Sequence, residues 1–254
     1  MKVVPIPVRS DNYAYLLIDE DSKKAAAVDP YDVPKVVASA QELGLEIVAC
    51  ITTHHHDDHS GGNHLFANQF PHAPIYGGSE KVKSVTEIVK DADAFNVGSL
   101  EVKCLATPCH TQDSICYYVT DRSSPGIAPV VFTGDTLFTG GCGRFFEGDG
   151  THMHAALTYL GTLPDSTLVY SGHEYTAGNL SFSRSIDPEN KALPRLQELV
   201  NAHEITQGFG TIGDEKEWNV FMRLGSDAVG KATNGTSEPA IMDELREMKN
   251  GFRG

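Results

Sequence analysis

The stretch Thr53-His54-His55-His56-Asp57-Asp58-His59 decides how the rest of this chain is interpreted. The apolar, β-branched run 46–51 before it is typical of a buried strand, and Ser60-Gly61-Gly62-Asn63 after it is typical of a turn. The stretch therefore lies where a strand ends and a loop begins, which is the usual position of a site in an α/β sheet.

Four potential metal ligands fall in this stretch: His54, His56, Asp58 and His59. His54 and His56 are two apart on an extended backbone and point to the same side. Asp58 and His59 are adjacent and share a direction only if the chain bends, so the pattern favours two metal ions side by side. A His-rich surface tract with adventitious metal affinity is the alternative. It explains neither the position after a strand nor the carboxylate within the pattern.

Composition and charge narrow the class of protein. With 254 residues, 40% hydrophobic and 21% charged, the chain is an ordinary globular protein of one large domain, or of a larger and a smaller one. The net charge of −14 argues against a nucleic-acid partner, because phosphate binding needs a basic face. An anionic small substrate is compatible with this charge if local cations receive it.

The cysteines and the apolar runs indicate the compartment. Five cysteines without a CxxC pair do not resemble a disulfide framework, which favours a reducing environment. The N-terminal residues lack the order of a signal peptide, and no run approaches 18 apolar residues. We expect a cytoplasmic protein that does not contact a membrane and is a monomer.

Strand patterns dominate up to about residue 174, and helical patterns follow it. Strands are predicted at 2–7, 13–19, 24–29, 46–51, 71–78, 100–106, 114–120, 129–133 and 168–170, the first three antiparallel, and helices at 33–43, 63–69, 155–160, 177–185, 190–206 and 238–249. The change from strand patterns to helical patterns predicts a strand-rich domain over residues 1–173 and a small helical domain over 174–254.

Three more ligand types follow predicted strands. His110 comes after a strand and a proline, Asp135 after Gly134, and His173 after Gly172. Each signal is weak alone, because a lone histidine is more often structural and a Gly-Asp after a strand is usually a turn. Together with the first four they make seven ligands, too many for one tetrahedral ion and about right for two. Asp135 is the natural bridge, since a carboxylate has two oxygens and an imidazole cannot share its lone pair.

These motifs resemble those of the metallo-β-lactamase superfamily. Within it, Gly141-Cys142-Gly143-Arg144-Phe145-Phe146-Glu147-Gly148, Gly172-His173-Glu174-Tyr175-Thr176 and the helical tail are similar to the hydroxyacylglutathione hydrolases, or glyoxalase II. The resemblance covers essentially the whole chain. It implies an αββα sandwich of α/β class, carrying two metals, with a small C-terminal all-helical domain.

The resemblance also implies which ligands bind which ion. His54, His56 and His110 would hold one ion, Asp58, His59 and His173 the other, and Asp135 would bridge them. Two divalent ions are expected, zinc first, with iron or manganese compatible with the same ligands. Ordinary structural or surface roles are expected for His55, His64, His72, His152, His154 and His203. Asp57 is either a surface residue of the loop or a group that contacts the ligands, and Asp29 is either a turn residue or a group that orients a ligand.

The implied activity is hydrolysis of S-(2-hydroxyacyl)glutathione thioesters, for example S-D-lactoylglutathione to glutathione and D-lactate, the second step of methylglyoxal detoxification. A metal-bound hydroxide would be the nucleophile, oriented by Asp58, because a bound water has its pKa lowered toward about 7. The thiol leaving group, with a pKa of about 8.5, departs with little help from an acid.

The resemblance further implies substrate contacts. Arg246 and Lys249 lie three apart on a predicted helix and would bind the glycine carboxylate, joined by Arg144, Phe146 and Tyr175 near the metals. The family often has lysine at position 144 and tyrosine at position 146. Phe146 lacks the tyrosine hydroxyl, and the loss of its hydrogen bond would weaken substrate binding by roughly 0.5–1.5 kcal/mol.

Three other functions remain open at this point. A lactonase or a nuclease of the same fold is one, although the acidic charge disfavours the nuclease and the helical tail the lactonase. An inert metal-binding protein is the second, although all seven ligands are present. A sulfur dioxygenase with a single iron is the third, which a stoichiometry of one metal per chain would favour.

Overall fold

The computed structural model describes residues 1–124 and 126–253. The chain divides into two compact units. The first unit consists of Met1–Ala106 and Asp113–Gly134, and the second of Thr107–Gln112 and Asp135–Gly254.

A six-stranded sheet dominates the first unit, with the order β1-β2-β3-β4-β5-β6. Its strands are β1 (Lys2–Pro7), β2 (Tyr13–Asp19), β3 (Lys24–Val28), β4 (Glu46–Ile51), β5 (Ile75–Gly77) and β6 (Glu87–Ile88). The pairings β1–β2 and β2–β3 are antiparallel, as predicted, whereas those from β3 to β6 are parallel. Helix α1 (Val33–Glu42) connects the parallel neighbours β3 and β4.

The same unit holds four strands of a second, antiparallel sheet in the order β10-β9-β8-β7. They are β7 (Ala94–Val97), β8 (Leu100–Ala106), β9 (Ile115–Asp121) and β10 (Val130–Gly134). Aromatic contacts join the two sheets: Tyr76 stacks on Phe95 with ring centroids 3.7 Å apart, and Tyr15 lies 5.5 Å from Phe132.

The first sheet is buried on both faces. Leu16 and Ile18 of β2 pack with α1 and with helix α3 (Asn63–Gln69), while Tyr15, on the opposite face, contacts the second sheet. Every residue of β2 is buried as a result, which is why its sequence lacks polar alternation. The loop that carries His54 to His59 follows the carboxyl end of β4, an interior strand of this sheet.

The second unit is mainly helical. It contains the short strands β11 (Leu137–Phe138), β12 (Gly141–Cys142) and β13 (Leu168–Ser171), and the helices α4 (Gly150–Leu160), α5 (Thr176–Ile186), α6 (Leu193–Ala202), α7 (Ile212–Trp218), α8 (Asp227–Ala232) and α9 (Glu238–Gly251). Leu180, Leu193, Leu196 and Trp218 form a buried cluster among α5, α6 and α7. Over the residues that the structure covers, no helix is both long and apolar enough for a membrane span.

The elements differ from the prediction mainly where they are short. A four-residue helix, α2 (Asp57–Ser60), occupies the stretch predicted as a loop. Helix α4 begins five residues earlier than predicted, because Asp149 caps the backbone N–H groups of Thr151 and His152. Helices α7 and α8 were not predicted; they are held by the caps Thr211 and Ser226.

Candidate metal centre

The turn of the chain after β4 carries the first set of predicted ligands, all within the first unit. His54 and His59 are buried, and His56 and Asp58 are partly exposed. His54 Nε2 lies 3.1 Å from His56 Nδ1, and Asp58 Oδ2 lies 3.8 Å from His59 Nε2. Ligand atoms of His54 and His59 also come within 4.8 Å of each other. Helix α2 provides the bend that lets adjacent Asp58 and His59 share one direction.

Asp29 holds this set in place from the end of β3. Its carboxylate accepts hydrogen bonds from Thr53 N at 2.8 Å, Thr53 Oγ1 at 2.7 Å and His59 Nδ1 at 2.9 Å. Because Asp29 is an acceptor, His59 carries its proton on Nδ1 and turns an Nε2 lone pair toward the other ligands. Asp29 adopts a φ of 46°, so it is a turn residue, and its hydrogen bond with His59 also suits it to orient a predicted ligand.

Asn12 and Asp113 were not singled out in the sequence. Asn12 Nδ2 donates to Asp58 Oδ2 at 3.0 Å. Asp113 lies 2.7 Å from His55 Nδ1 and accepts a hydrogen bond from Ser79 Oγ at 2.8 Å. Only the position of Asn12 before a predicted strand hinted at a turn, and nothing in the sequence linked either residue to the ligands.

The second set of ligands lies in the second unit. His110 Nε2 is 3.4 Å from Asp135 Oδ2, and His173 Nε2 is 3.3 Å from the same oxygen. His110 Nδ1 donates to the Arg144 carbonyl oxygen at 3.0 Å, which leaves Nε2 as the lone-pair nitrogen. A Cβ at Gly143 would overlap the Asp135 carbonyl oxygen, so Gly143 permits this close approach.

The predicted substrate residues also lie in the second unit, in different environments. Arg144, Phe146 and Arg246 line a cavity of about 720 Å³. Tyr175 stacks on His173, with ring centroids 4.8 Å apart and planes 7° apart. Lys249 donates to the Gly178 carbonyl oxygen at 2.7 Å.

Arg246 is buried, although it lies on a helix of the C-terminal region. It is 8% exposed, donates to the Cys142 carbonyl oxygen at 2.8 Å and to Asn250 Oδ1 at 3.0 Å, and lies over the Phe221 ring. Burial lowers the pKa of Arg246, and it lowers that of Lys249 to about 8, with the charge of Arg246 acting in the same direction on Lys249.

Four of the remaining histidines contact ordinary polar or aromatic neighbours. His64 lies 2.6 Å from Ser84, His152 lies 2.7 Å from Asp149 at the start of α4, and His154 lies 3.1 Å from Glu238. His203 stacks on Phe209. Asp57 is exposed and forms an ion pair with Lys83.

The chemistry of the donors suits divalent metal ions. The first unit offers three imidazoles and a carboxylate, and the second offers two imidazoles and a carboxylate. His59 and His110 each have one ring nitrogen committed to an acceptor, which leaves the other for a metal. All five cysteines are buried, and burial raises the pKa of Cys104, Cys109 and Cys142 to about 12, so these three thiols are neutral near pH 7.

Family models match nearly the whole chain. The metallo-beta-lactamase superfamily model matches residues 17–173, and the model for the hydroxyacylglutathione hydrolase C-terminus matches residues 174–252. Among solved structures, ETHE1 from Myxococcus xanthus is similar with a TM-score of 0.69 and 27% identity, covering 98% of each chain. The chain thus has the metallo-β-lactamase fold, with a C-terminal helical domain, as predicted.

Curated relatives narrow the family further. A probable hydroxyacylglutathione hydrolase of Schizosaccharomyces pombe is 46% identical over 94% of this chain and 93% of its own length. The cytoplasmic isozyme of hydroxyacylglutathione hydrolase from Saccharomyces cerevisiae is 43% identical over 94% of both. The chain belongs to the hydroxyacylglutathione hydrolase family.

Proposed function

We propose that this chain is a thioester hydrolase that converts S-(2-hydroxyacyl)glutathione thioesters to glutathione and the free acid. S-D-lactoylglutathione, giving D-lactate, is the proposed substrate, which assigns the chain to the second step of methylglyoxal detoxification. Beside family membership, one observation carries the proposal: His110 and His173 both direct Nε2 toward one oxygen of Asp135. A carboxylate with an imidazole on either side is suited to bridge two cations.

We assign the seven ligands to two ions. His54, His56 and His110 hold one, Asp58, His59 and His173 hold the other, and Asp135 bridges them. The division into residues 1–173 for the metal-binding domain and 174–254 for the helical domain remains part of the proposal, supported by the ranges that the two family models match. Zinc is the proposed metal, and iron or manganese would suit the same donors.

When bound, two divalent ions lower the pKa of a water molecule toward about 7 and polarise a carbonyl oxygen. The chain's own groups then orient the reactants. Asp58, held by Asn12, accepts a hydrogen bond from the attacking water and directs it at the thioester carbon. The departing thiolate needs no protein acid, because its conjugate acid has a pKa of about 8.5.

The tripeptide is proposed to bind through Arg144, Phe146, Tyr175, Arg246 and Lys249. Glutathione carries two carboxylates and one ammonium group, and the 720 Å³ cavity offers both signs of charge. Arg144 and Arg246 line it together with four acidic residues, Asp149, Asp243, Glu244 and Glu247. A zwitterionic peptide suits such a lining better than a simple anion does.

The cellular setting is proposed from the same relatives. A cytoplasmic location is consistent with the name of the Saccharomyces cerevisiae relative and with five free cysteines. A monomer is part of the same proposal. The net charge of −14 supports a small-molecule substrate rather than a nucleic acid.

One experiment tests the proposal directly: thioester hydrolysis and metal content are measured on the same purified sample, before and after chelation. We expect turnover of S-D-lactoylglutathione, two metals per chain, and loss of activity with the metals. Preferential hydrolysis of a lactone, or absence of any hydrolysis in metal-replete protein, would overturn it. One iron per chain with sulfur oxidation instead of hydrolysis would favour a dioxygenase.

A further inference from the structure

The hairpin β11–β12 of the second unit lies beside three groups of the proposed site. The Phe138 ring is edge-on to Tyr175 at 5.1 Å and to His173 at 6.0 Å. At the other end of the hairpin, the Cys142 carbonyl oxygen accepts the hydrogen bond from Arg246. The hairpin therefore contacts one proposed metal ligand, His173, and two proposed substrate residues, Tyr175 and Arg246.

Glu215 of α7 holds the turn of this hairpin. The Gly140 N–H donates to both carboxyl oxygens of Glu215, at 2.9 and 3.2 Å. Trp218 Nε1 and Asn219 Nδ2 donate to the same carboxyl group, each at 2.8 Å. Glu215 has no exposed surface. Its carboxyl group thus satisfies donors from the hairpin and from its own helix.

Two asparagines fix the carbonyl groups of the same turn. Asn219 Nδ2 donates to the Gly141 carbonyl oxygen at 3.0 Å, and Asn179 Nδ2 donates to the Thr139 carbonyl oxygen at 3.1 Å. Both asparagines are buried, and a Cβ at Gly141 would overlap the side chain of Asn179. The turn backbone is therefore bonded to buried side chains from both sides.

Space filling alone does not account for a carboxyl group at this position. An apolar side chain of similar volume avoids the desolvation of a charge and often stabilises a protein as well or better. The groups bonded to Glu215 are N–H donors, which favour the carboxylate, although burial raises its pKa to about 8. A carboxyl group that accepts N–H groups from several directions fixes the orientation of the turn as well as its position.

We propose that Glu215 is a positioning residue: it fixes the turn at Gly140, and through the hairpin it sets the orientation of Phe138 against His173 and Tyr175 and the carbonyl group that holds Arg246. The kinetic consequence rests on the proposed function, because it requires Tyr175 and Arg246 to bind substrate. The hydrogen bonds to Glu215 involve no proposed metal ligand.

The test substitution is Glu215→Gln, which keeps the shape and replaces one acceptor oxygen by an NH₂ group facing N–H donors. We expect KM for S-D-lactoylglutathione to rise about tenfold, as for one lost hydrogen bond to a charged group, with kcat changed less than about twofold. Metal content should stay at the wild-type value. Glu215→Asp, which keeps the acceptors, should restore part of the lost affinity.

Two controls separate positioning from general stability. Glu217→Gln alters an exposed carboxylate of the same helix, ion-paired with Arg195, and should leave KM unchanged. Trp218→Phe removes one donor to Glu215 and disturbs the core, but leaves Gly140 and Asn219 bonded to it. It should lower the unfolding midpoint without raising KM.

An unchanged KM in Glu215→Gln, or an equal rise in Trp218→Phe, would overturn the positioning role. If Glu215→Gln does not fold, Asn179→Ala tests the same turn from the opposite side by leaving the Thr139 carbonyl oxygen without its donor. A raised KM there supports the proposal, and an unchanged KM overturns it. Wild-type protein that fails to hydrolyse the thioester would count against the proposed function instead.

Discussion

Asp29 accepts a hydrogen bond from His59 Nδ1 at 2.9 Å while its backbone adopts a φ of 46°. The left-handed backbone is uncommon for a residue other than glycine, and aspartate tolerates it better than most. In this conformation the carboxylate also receives the Thr53 N–H and hydroxyl groups, so one side chain ties the end of β3 to the ligand loop.

Asp29→Asn should weaken metal binding by about 10- to 100-fold, because the amide cannot serve His59 and Thr53 as a double acceptor. Asparagine tolerates the same backbone conformation, so the fold should persist. Competition with a calibrated zinc chelator measures the affinity. Asp57→Asn, an exposed carboxylate on the neighbouring helix, is the matched control, and equal affinities in the two variants would contradict the role of Asp29.

Asp58→Ala should remove one metal per chain and lower kcat by about 10²- to 10⁴-fold, because the proposed ligand and water-orienting group is lost. Metal analysis and initial rates on the same sample measure both effects. The matched control is Asp57→Ala, which removes the adjacent carboxylate that pairs with Lys83. Retention of two metals in Asp58→Ala would show that the ligand assignment is wrong.

Lys249 predicts a pH dependence of substrate affinity. Burial, followed by the charge of Arg246, lowers the pKa of Lys249 to about 8, so the ammonium group is charged below pH 8 and neutral above it. KM should therefore rise as the pH passes upward through about 8. Lys249→Ala should raise KM by about tenfold below pH 8, the effect of losing a charged hydrogen bond, and its KM should not rise further as the pH passes 8.

The matched variant for this prediction is Lys249→Arg, since arginine stays charged over the whole range. Its KM should be flat between pH 6.5 and 9.5 as far as this group determines it. A wild-type KM that does not change above pH 8 would mean that Lys249 does not receive the substrate carboxylate.

Gly143→Ala should displace the Asp135 backbone, because the added Cβ would overlap the Asp135 carbonyl oxygen and come within 3.1 Å of His110 Nδ1. We expect a loss of about 1–3 kcal/mol in the free energy of unfolding and lower metal occupancy. Chemical denaturation and metal analysis measure these. Gly230→Ala, at a helical glycine with open space around it, should be neutral or slightly stabilising; similar losses in both would contradict the argument.

The elements that could be predicted are those whose pattern repeats over several residues. Strand β2 and helix α3 have the predicted bounds. The residues of β2 are apolar or aromatic except Asp19, and such a run leaves a strong local signal. Strands β11 and β12, of two residues each, leave no such signal, and the turn between them is hydrogen-bonded to Glu215, Asn179 and Asn219 from distant parts of the chain.

The candidate site also contains residues that local sequence indicates and residues that only tertiary structure brings in. His54 and Asp58 follow a strong strand and could be named from sequence, whereas the groups that hold them, such as Asn12, come from other parts of the chain. The environment of Arg246 could not be predicted either. Helical spacing put it on one face with Lys249, but its burial against Cys142 and Phe221 depends on tertiary packing.

The five buried thiols have a practical consequence for an enzyme proposed to release a thiol. A disulfide reagent in solution attacks thiolates, and burial keeps Cys104, Cys109 and Cys142 protonated with a pKa of about 12. The folded protein should therefore not react with a chromogenic aromatic disulfide. The absorbance that develops during turnover should measure released glutathione alone. The same burial would keep glutathione disulfide, once an oxidant has formed it from the released thiol, from exchanging with the thiols of the protein.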